Sequence, residues 1–341
     1  MTSQSLTSKI FKFIELKFFA EKRDLLDEIS KVLHIHRSSV YKKINGETSI
    51  SIEEAEILCR HFRISLDEIL GLVDDKIYFD FPALYGSVSN EFEFLEPIKK
   101  DLEKLYRLNP TIYYATKELP LFYYFSSPRL VAFKFHVFYN FVWRKDNHSW
   151  LKFDYNKYES DAEFKSLVYE IQELYSTMNS VELWNASVLD NTLNQIKYFL
   201  DSGLMIDSQE SLLICDDIIK LVDRIELAIK NQNKNSFRKS TIGTGSFALY
   251  NNEIAHTNNV IFVNSKTRDA VYCTYDNPNF MRSISTTLCE YTSNWFKRLI
   301  NNATPVTGGS LKDQNQFINR LREKIIRTRN TIESSLLNLE I

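Results

Sequence analysis

The first 72 residues carry apolar side chains at the spacing of short amphipathic helices. In the segment IFKFIELKFFA, Phe11, Ile14 and Phe18 recur at intervals of three and four residues, which places them on one helical face. The segments RDLLDEISKVLHI and SIEEAEILCRHF repeat this pattern between polar turns. The pattern predicts five short helices packed into one bundle over residues 1–72.

The third predicted helix differs from its neighbours. It lies in the stretch HRSSVYKKINGE, and its only apolar residues are Val40 and Ile44, one helical turn apart. Hydroxyls, cations and one aromatic ring occupy most of the other positions. Two interpretations remain open: a solvated helix in a protein-interaction bundle, or a face that contacts a polyanion.

Charge is distributed unevenly along this bundle. Residues 9–43 contain nine Lys and Arg against five Asp and Glu, whereas residues 44–72 contain two against six. The third helix therefore lies in the positive half. Because the net charge of the whole chain is −2, any nucleic-acid contact has to be local.

The segment ISKVLHIHRSSVYKKINGETSISIEEAEILCRHFRISLDEIL resembles the helix-turn-helix domain of the Cro/C1-type, or XRE, transcriptional regulators. It shows, in the family's order, an ISxxL helix end, a short turn, a hydroxyl-rich helix closed by Asn-Gly, an apolar helix and ISLDEIL. The resemblance covers residues 8–72 and leaves residues 73–341 unassigned. It departs from the family at His34, where Gly is usual; histidine enters the left-handed region less freely than Gly.

The resemblance implies that the start of the third helix enters the major groove of double-stranded DNA. Arg37, Ser38, Ser39 and Tyr41 would then face base edges, with Lys42 beside them or on phosphate. An arginine can donate two hydrogen bonds to guanine O6 and N7, and a lysine neutralises phosphate. The remaining implied DNA-binding residues, assigned to the phosphate backbone, are Lys43, Asn45 and Thr48.

The sequence of residues 73–110 predicts an acidic linker followed by a helix. The helix carries an apolar seam at alternating steps of three and four residues, formed by Leu95, Ile98, Leu102 and Leu105. Two uses of this seam remain open: packing on its own domain, or a dimerisation helix in a short coiled coil.

Residues 111–341 are predicted to form a mostly helical region for sensing or dimerisation. Low counts of Gly and Pro, 8 and 7, favour a mainly α fold for the whole chain. The short runs FALY, VIFV and AVYCTY predict a small antiparallel β meander over residues 247–275. Two long helices are expected after it, near residues 279–302 and 310–337. Aromatic residues crowd between Tyr113 and Trp143, where a plain core and an apolar ligand pocket are the alternatives.

The chain offers little sign of catalytic or metal chemistry. Its four cysteines are widely spaced, no catalytic signature occurs, and the GTG at Gly243–Gly245 lacks the Lys-Ser/Thr of a phosphate-binding loop. The longest apolar stretch is shorter than the roughly 18 to 20 residues that span a bilayer. We therefore expect a cytoplasmic protein that is not an enzyme and uses no cofactor, metal or membrane.

The sequence as a whole predicts a sequence-specific, homodimeric transcriptional regulator that binds double-stranded DNA. Its C-terminal region would oligomerise or respond to a small-molecule or protein effector. The alternative is an adaptor, for instance in a stress or phage-defence response, whose helical bundle contacts protein rather than DNA.

Overall fold

The computed structural model describes residues 5–19, 22–70, 76–84, 86, 88–144, 149–238, 243–253 and 259–339 of the 341-residue chain. The chain divides into an N-terminal unit, Met1–Tyr78, and a C-terminal unit, Phe79–Ile341. Within the described ranges, no helix is both long and apolar enough to cross a membrane.

The described part of the N-terminal unit contains five helices, as the apolar spacing predicts. They are α1 (Leu6–Phe18), α2 (Lys22–Val32), α3 (Arg37–Ile44), α4 (Ile52–Phe62) and α5 (Leu66–Leu70). Each of α1 to α4 contributes a fully buried apolar side chain to one core, including Ile10, Leu25, Val40 and Leu58. This core holds α3 through the fully buried Val40 and the partly buried Ile44.

Local sequence signals set the ends of these helices. The Ser5 hydroxyl accepts a hydrogen bond from the Ser8 N–H at the start of α1. Ser51 and Glu54 form a reciprocal capping box at the start of α4. Because these side chains satisfy N–H groups that have no partner within the helix, they favour helix starts at these positions.

The C-terminal unit combines helices with one sheet. Its strands are β1 (Thr111–Ala115), β2 (Asn179–Trp184), β3 (Phe247–Asn251), β4 (Val260–Asn264), β5 (Ala270–Asp276), β6 (Asn279–Ser283) and β7 (Thr304–Pro305). Its α-helices are α6 (Glu91–Arg107), α7 (Leu121–Tyr124), α8 (Pro128–Phe138), α9 (Asn156–Glu159), α10 (Ala162–Thr177), α11 (Asp190–Asp201), α12 (Glu210–Asn231), α13 (Thr286–Asn301) and α14 (Leu311–Leu339). Short 3-10 turns occupy Pro82–Leu84 and Asn235–Phe237, and a π-helical turn occupies Tyr139–Trp143.

The predicted meander was wrong in extent, because the sheet is larger, and in pairing. FALY, in β3, pairs in parallel with β2 and not with VIFV, in β4, whereas β4, β5 and β6 are antiparallel neighbours. Among the described residues seven strands join in the order β6-β5-β4-β1-β2-β3-β7. Strands β1, β2 and β3 are parallel, β4 pairs antiparallel with β1, and β7 pairs antiparallel with β3. Strands β3 and β4, adjacent in sequence, therefore lie on opposite sides of the β1–β2 pair.

The missed strands have a physical explanation. TIYYA and NSVELW are short apolar runs buried in the sheet, and periodicity alone does not distinguish such runs from buried helix. A further correction concerns residues 279–283, which form β6 rather than the beginning of a helix; α13 starts at Thr286. The last long helix, predicted near residues 310–337, is present as α14.

The aromatic-rich segment between Tyr113 and Trp143 forms part of the core of the C-terminal unit. Tyr114, Tyr123, Phe125 and Phe133 are each no more than 2% exposed, and they belong to one apolar cluster. Helix α13 covers a second, smaller cluster with Phe262 and Cys289. These contacts support the core interpretation rather than the ligand pocket.

The apolar seam of α6 is used within its own unit. Leu95 and Leu102 are buried, and Ile98 and Leu105 pack against the same core, with α10 as the principal neighbouring helix. Of the two alternatives for this seam, the structure shows packing on the helix's own domain.

A fully buried carboxylate, Glu182 on β2, lies inside this core. Its Oε1 accepts hydrogen bonds from the hydroxyls of Tyr123, Tyr175 and Ser180 at 3.0, 2.9 and 2.8 Å. Its Oε2 accepts one from the Trp184 indole at 3.0 Å. Burial, followed by the nearby Glu182 charge, raises the pKa of both tyrosines well above the ordinary value, so they remain donors. Four donors offset the cost of burying this carboxylate.

Just before β3 the chain passes so close to the backbone of Met178 that residue 245 has to be a glycine. A Cβ at this position would lie 2.0 Å from the Met178 carbonyl oxygen. The buried Lys234 ammonium donates to the same carbonyl at 3.1 Å and to the Tyr175 carbonyl of α10 at 3.4 Å, and the second contact caps the end of that helix. Burial lowers the pKa of Lys234 to about 8, against the opposing effect of Glu182. The GTG sequence thus has a structural explanation in this close backbone contact.

Candidate nucleic-acid interface

The geometry of the turn between α2 and α3 positions the third helix. His34 adopts a left-handed conformation with φ of 53°, at the position where the family usually has Gly. The Ser30 hydroxyl donates a hydrogen bond of 2.7 Å to the Ile35 carbonyl and closes the turn. Val40, 0% exposed, then anchors α3 to the core. The closed turn before α3 and the buried Val40 within it therefore both fix the position of this helix.

His36 caps α3 with its side chain. Its Nδ1 accepts the Ser38 N–H at 3.3 Å and lies 2.9 Å from the Ser38 hydroxyl. The imidazole thus takes the place that Ser, Thr, Asp or Asn usually occupies at a helix start. The Ser38 hydroxyl, in the first turn of α3, is thereby held beside the imidazole.

Arg37, the first residue of α3, is paired with Asp27 of α2. Its Nε lies 2.8 Å from the Asp27 Oδ1, and the two side chains are 46% and 40% exposed. Both groups are thus at the surface, so their attraction is screened by water and worth little as stability. The effect of the pair is to orient the guanidinium beside the N-terminus of α3.

Lys43, near the end of α3, is bound to α4 and its preceding loop. Its Nζ donates to the Glu54 Oε2 and to the Ser49 carbonyl, both at 2.9 Å, and its side chain is only 14% exposed. Burial opposes ionisation of Glu54, but the Ser51 N–H and Lys43 outweigh it and lower the pKa of Glu54. Of the implied phosphate contacts, Lys43 is the one that these surroundings favour least.

The outward face of α3 is polar and open. Ser38, Tyr41 and Lys42 are exposed, whereas Ser39 is half-buried. The Lys22 ammonium lies 5.7 Å from the centre of the Tyr41 ring, which is 49% exposed. Asn45 and Thr48 are exposed at the end of α3 and in the loop that follows. One surface of the N-terminal unit therefore presents a guanidinium, an ammonium, hydroxyls, an amide and one aromatic ring.

Three residues that shape this surface were not predicted from the sequence: Asp27, His36 and Glu54. The position of His36 directly before a helix was a detectable sign of a cap, although histidine is not a preferred capping residue. The pairing of Asp27 with Arg37 depends on the angle between α2 and α3, and no local sequence pattern specifies it.

Comparison with known proteins agrees with this geometry. Residues 20–69 match the family model described as helix-turn-helix, which confirms the resemblance to Cro/C1-type regulators for this part of the chain. No curated protein and no solved structure matches the chain. Residues 20–69 are thus similar to a helix-turn-helix domain, which supports a DNA-binding regulator in general terms, and the match ends before the C-terminal unit begins.

Proposed function

We propose that the protein is a sequence-specific transcriptional regulator that places α3 in the major groove of double-stranded DNA. The observation that carries the proposal is the outward face of α3, which is polar and cationic while Val40 alone on that helix is fully buried. Such a face suits base edges and phosphates rather than an apolar protein surface. The match of residues 20–69 to the helix-turn-helix family supports it.

The exposed residues divide between base and phosphate contacts. Arg37 faces base edges as the residue able to make a bidentate contact with guanine, joined by Ser38, Ser39 and Tyr41. Lys42, Asn45 and Thr48 contact phosphates and fix the register. Lys43 fixes the end of α3 to α4 and so acts on binding through the position of the helix. The proposal assigns no enzymatic step to the chain.

Dimerisation belongs to this proposal because the N-terminal unit has little net charge. The positive excess of residues 9–43 is offset by the negative excess of residues 44–72, so non-specific phosphate attraction is weak. Two units binding half-sites roughly 34 Å apart would supply the missing affinity. Light scattering of the full chain tests this point, because a monomer at binding concentrations would contradict it.

The C-terminal unit is proposed to receive the effector. A polar groove of about 320 Å³ lies beyond the carboxyl end of β3 and is lined by Asn251, Gln316 and Arg320, among others. In open α/β sheets, ligands commonly bind in a crevice beyond the carboxyl ends of the parallel strands. A thermal-shift screen of small polar metabolites against the full chain, repeated with Arg320→Ala, tests whether the groove binds one. If no metabolite shifts the transition, the result favours a protein effector over a small molecule.

The adaptor remains the second candidate because α4 exposes apolar side chains. Ile52 and Ile57 are 83% and 45% exposed, which offers a surface that a protein can cover. An adaptor of this kind binds no duplex even at low salt, whereas a DNA-binding unit loses affinity steeply as salt rises.

The decisive experiment is fluorescence anisotropy of the full chain with DNA duplexes at two salt concentrations. The duplexes are one from the region upstream of its own gene, one selected from a random pool, and a scrambled control. Preferential binding that weakens with salt and with Arg37→Ala supports the proposal. Absence of binding to any duplex at low salt, including the selected pool, contradicts it and favours the adaptor.

A further inference from the structure

The Arg37–Asp27 pair leaves most of the guanidinium available. Asp27 Oδ1 forms an ion pair with Nε, the nitrogen closest to the main chain, at a distance of 2.8 Å. No other partner of the Arg37 guanidinium occurs in the part of the chain that the structure describes. The two terminal nitrogens, Nη1 and Nη2, therefore keep their donors for an incoming ligand.

We propose that Asp27 is a positioning residue that holds Arg37 for bidentate recognition of guanine and thereby sets the sequence preference of the protein. The inference rests on the proposed function, because it requires α3 to enter the major groove. It adds a residue on α2 that the resemblance to Cro/C1-type regulators does not assign to DNA recognition in this chain.

Guanine suits this geometry better than adenine does. Guanine presents two acceptors, O6 and N7, in the major groove, whereas adenine presents the N7 acceptor beside the N6 amino donor. A free arginine side chain can turn towards a phosphate or a neighbouring base. Fixing Nε against Asp27 removes much of that freedom before binding, so less conformational entropy is lost on contact with guanine.

The charge of Asp27 acts in the same direction. A carboxylate near the groove repels phosphates and weakens binding to every sequence. On a site where guanine engages the guanidinium, the retained Asp27 contact helps to offset that repulsion. On other sites the repulsion stays uncompensated, so the carboxylate widens the difference between correct and incorrect sequences.

The test compares Asp27→Asn with a control of equal charge change, Glu56→Gln. Glu56 lies on α4 and pairs only with Arg60 on the same helix, at 2.8 Å and at high exposure, among the described residues. Anisotropy is measured on the selected duplex and on duplexes in which each base pair is replaced in turn. The position contacted by Arg37 is defined as the one where Arg37→Ala abolishes discrimination.

We expect Asp27→Asn to reduce discrimination at that one position by about two- to fivefold, the range that an exposed ion pair supports, and Glu56→Gln to leave discrimination unchanged. In the Arg37→Ala background, Asp27→Asn should have no further effect on discrimination, because its action passes through Arg37. Circular dichroism melting of each variant checks that the unit remains folded.

Three results would overturn the inference. If Asp27→Asn and Glu56→Gln tighten binding to all duplexes by the same factor with discrimination intact, Asp27 contributes charge alone. If Asp27→Asn tightens binding with discrimination intact and Glu56→Gln does not, Asp27 competes with DNA for Arg37. Wild-type protein that binds no duplex removes the proposed function itself, and the inference with it.

Discussion

Lys43 of α3 and Glu54 of α4 form an ion pair across the loop that joins the two helices, with an Nζ–Oε2 distance of 2.9 Å. Glu54 simultaneously accepts the Ser51 N–H in the capping box of α4. One carboxylate therefore joins the end of the candidate DNA-contacting helix to the start of the next helix. This contact separates the roles of two adjacent lysines of equal charge.

Replacing either lysine with alanine should give different results. Lys43→Ala removes the contact to Glu54 and Ser49 and should destabilise the N-terminal unit by about 1 to 2 kcal/mol. Lys42→Ala should leave stability nearly unchanged and reduce the salt dependence of DNA binding by about one phosphate contact. Hydrogen exchange of α3 amides and anisotropy at several salt concentrations measure the two effects. Identical behaviour of the variants would contradict this division.

The histidine cap of α3 can be tested by substitution. His36→Ala leaves the Ser38 N–H without its acceptor and should cost about 1 kcal/mol, whereas His36→Asn should keep the cap. Thermal unfolding followed by circular dichroism compares the two variants with the wild type. Equal losses in both would show that the imidazole acts by something other than capping.

Gly245 should be intolerant of a side chain. In Gly245→Ala the added Cβ would meet the Met178 carbonyl at 2.0 Å, and relieving that overlap should cost about 3 kcal/mol. Gly86→Ala is the matched control, because among the described residues its Cβ would meet the Pro82 carbonyl alone, at 3.7 Å. Urea unfolding of the full chain measures both. A small effect at Gly245 would mean that β3 can shift without loss.

The Glu182 cluster predicts a clear difference between buried and exposed tyrosines. Tyr123→Phe removes one donor to the buried carboxylate and should destabilise the C-terminal unit by about 1 to 2 kcal/mol. Tyr275→Phe removes a hydroxyl from a residue that is 72% exposed and should change stability little. Urea midpoints of the two variants provide the comparison, and equal midpoints would refute it.

Buried His136 should make the C-terminal unit sensitive to acid. Burial lowers its pKa from 6.5 to about 4, although the Ala132 carbonyl bonded to Nδ1 acts in the opposite direction. The unfolded chain therefore binds more protons than the folded chain between these values. Stability is lost as pH falls from about 6.5 to about 4, with a total of about 3 kcal/mol.

A neutral replacement isolates this effect from that of the carboxylates. His136→Gln should be less stable than the wild type at pH 7, yet lose about 2 to 3 kcal/mol less than the wild type between pH 7 and pH 4.5. Urea midpoints at the two pH values give the difference. Parallel losses in wild type and variant would show that His136 does not titrate in this range.

The sequence by itself determined the N-terminal bundle and the location of its polar helix. The information there is local: apolar spacing, caps and turns act within a few residues, so helix bounds follow from neighbours along the chain. The same applies to the long helix α14, which the sequence predicts near residues 310–337. The polar outward face of α3 also followed from the position of Val40 and Ile44, whereas the contact of Lys43 with Glu54 did not.

Only the tertiary structure decided how distant segments meet. Strand β1 pairs with β2 about 70 residues later and with β4 about 150 residues later, and short apolar runs carry no record of such partners. Likewise, the positions of Asp27 and Glu54 against α3 depend on interhelical angles. Local patterns specify which residues form a helix or a face, whereas the pairing of charges and strands depends on the packing of the whole unit.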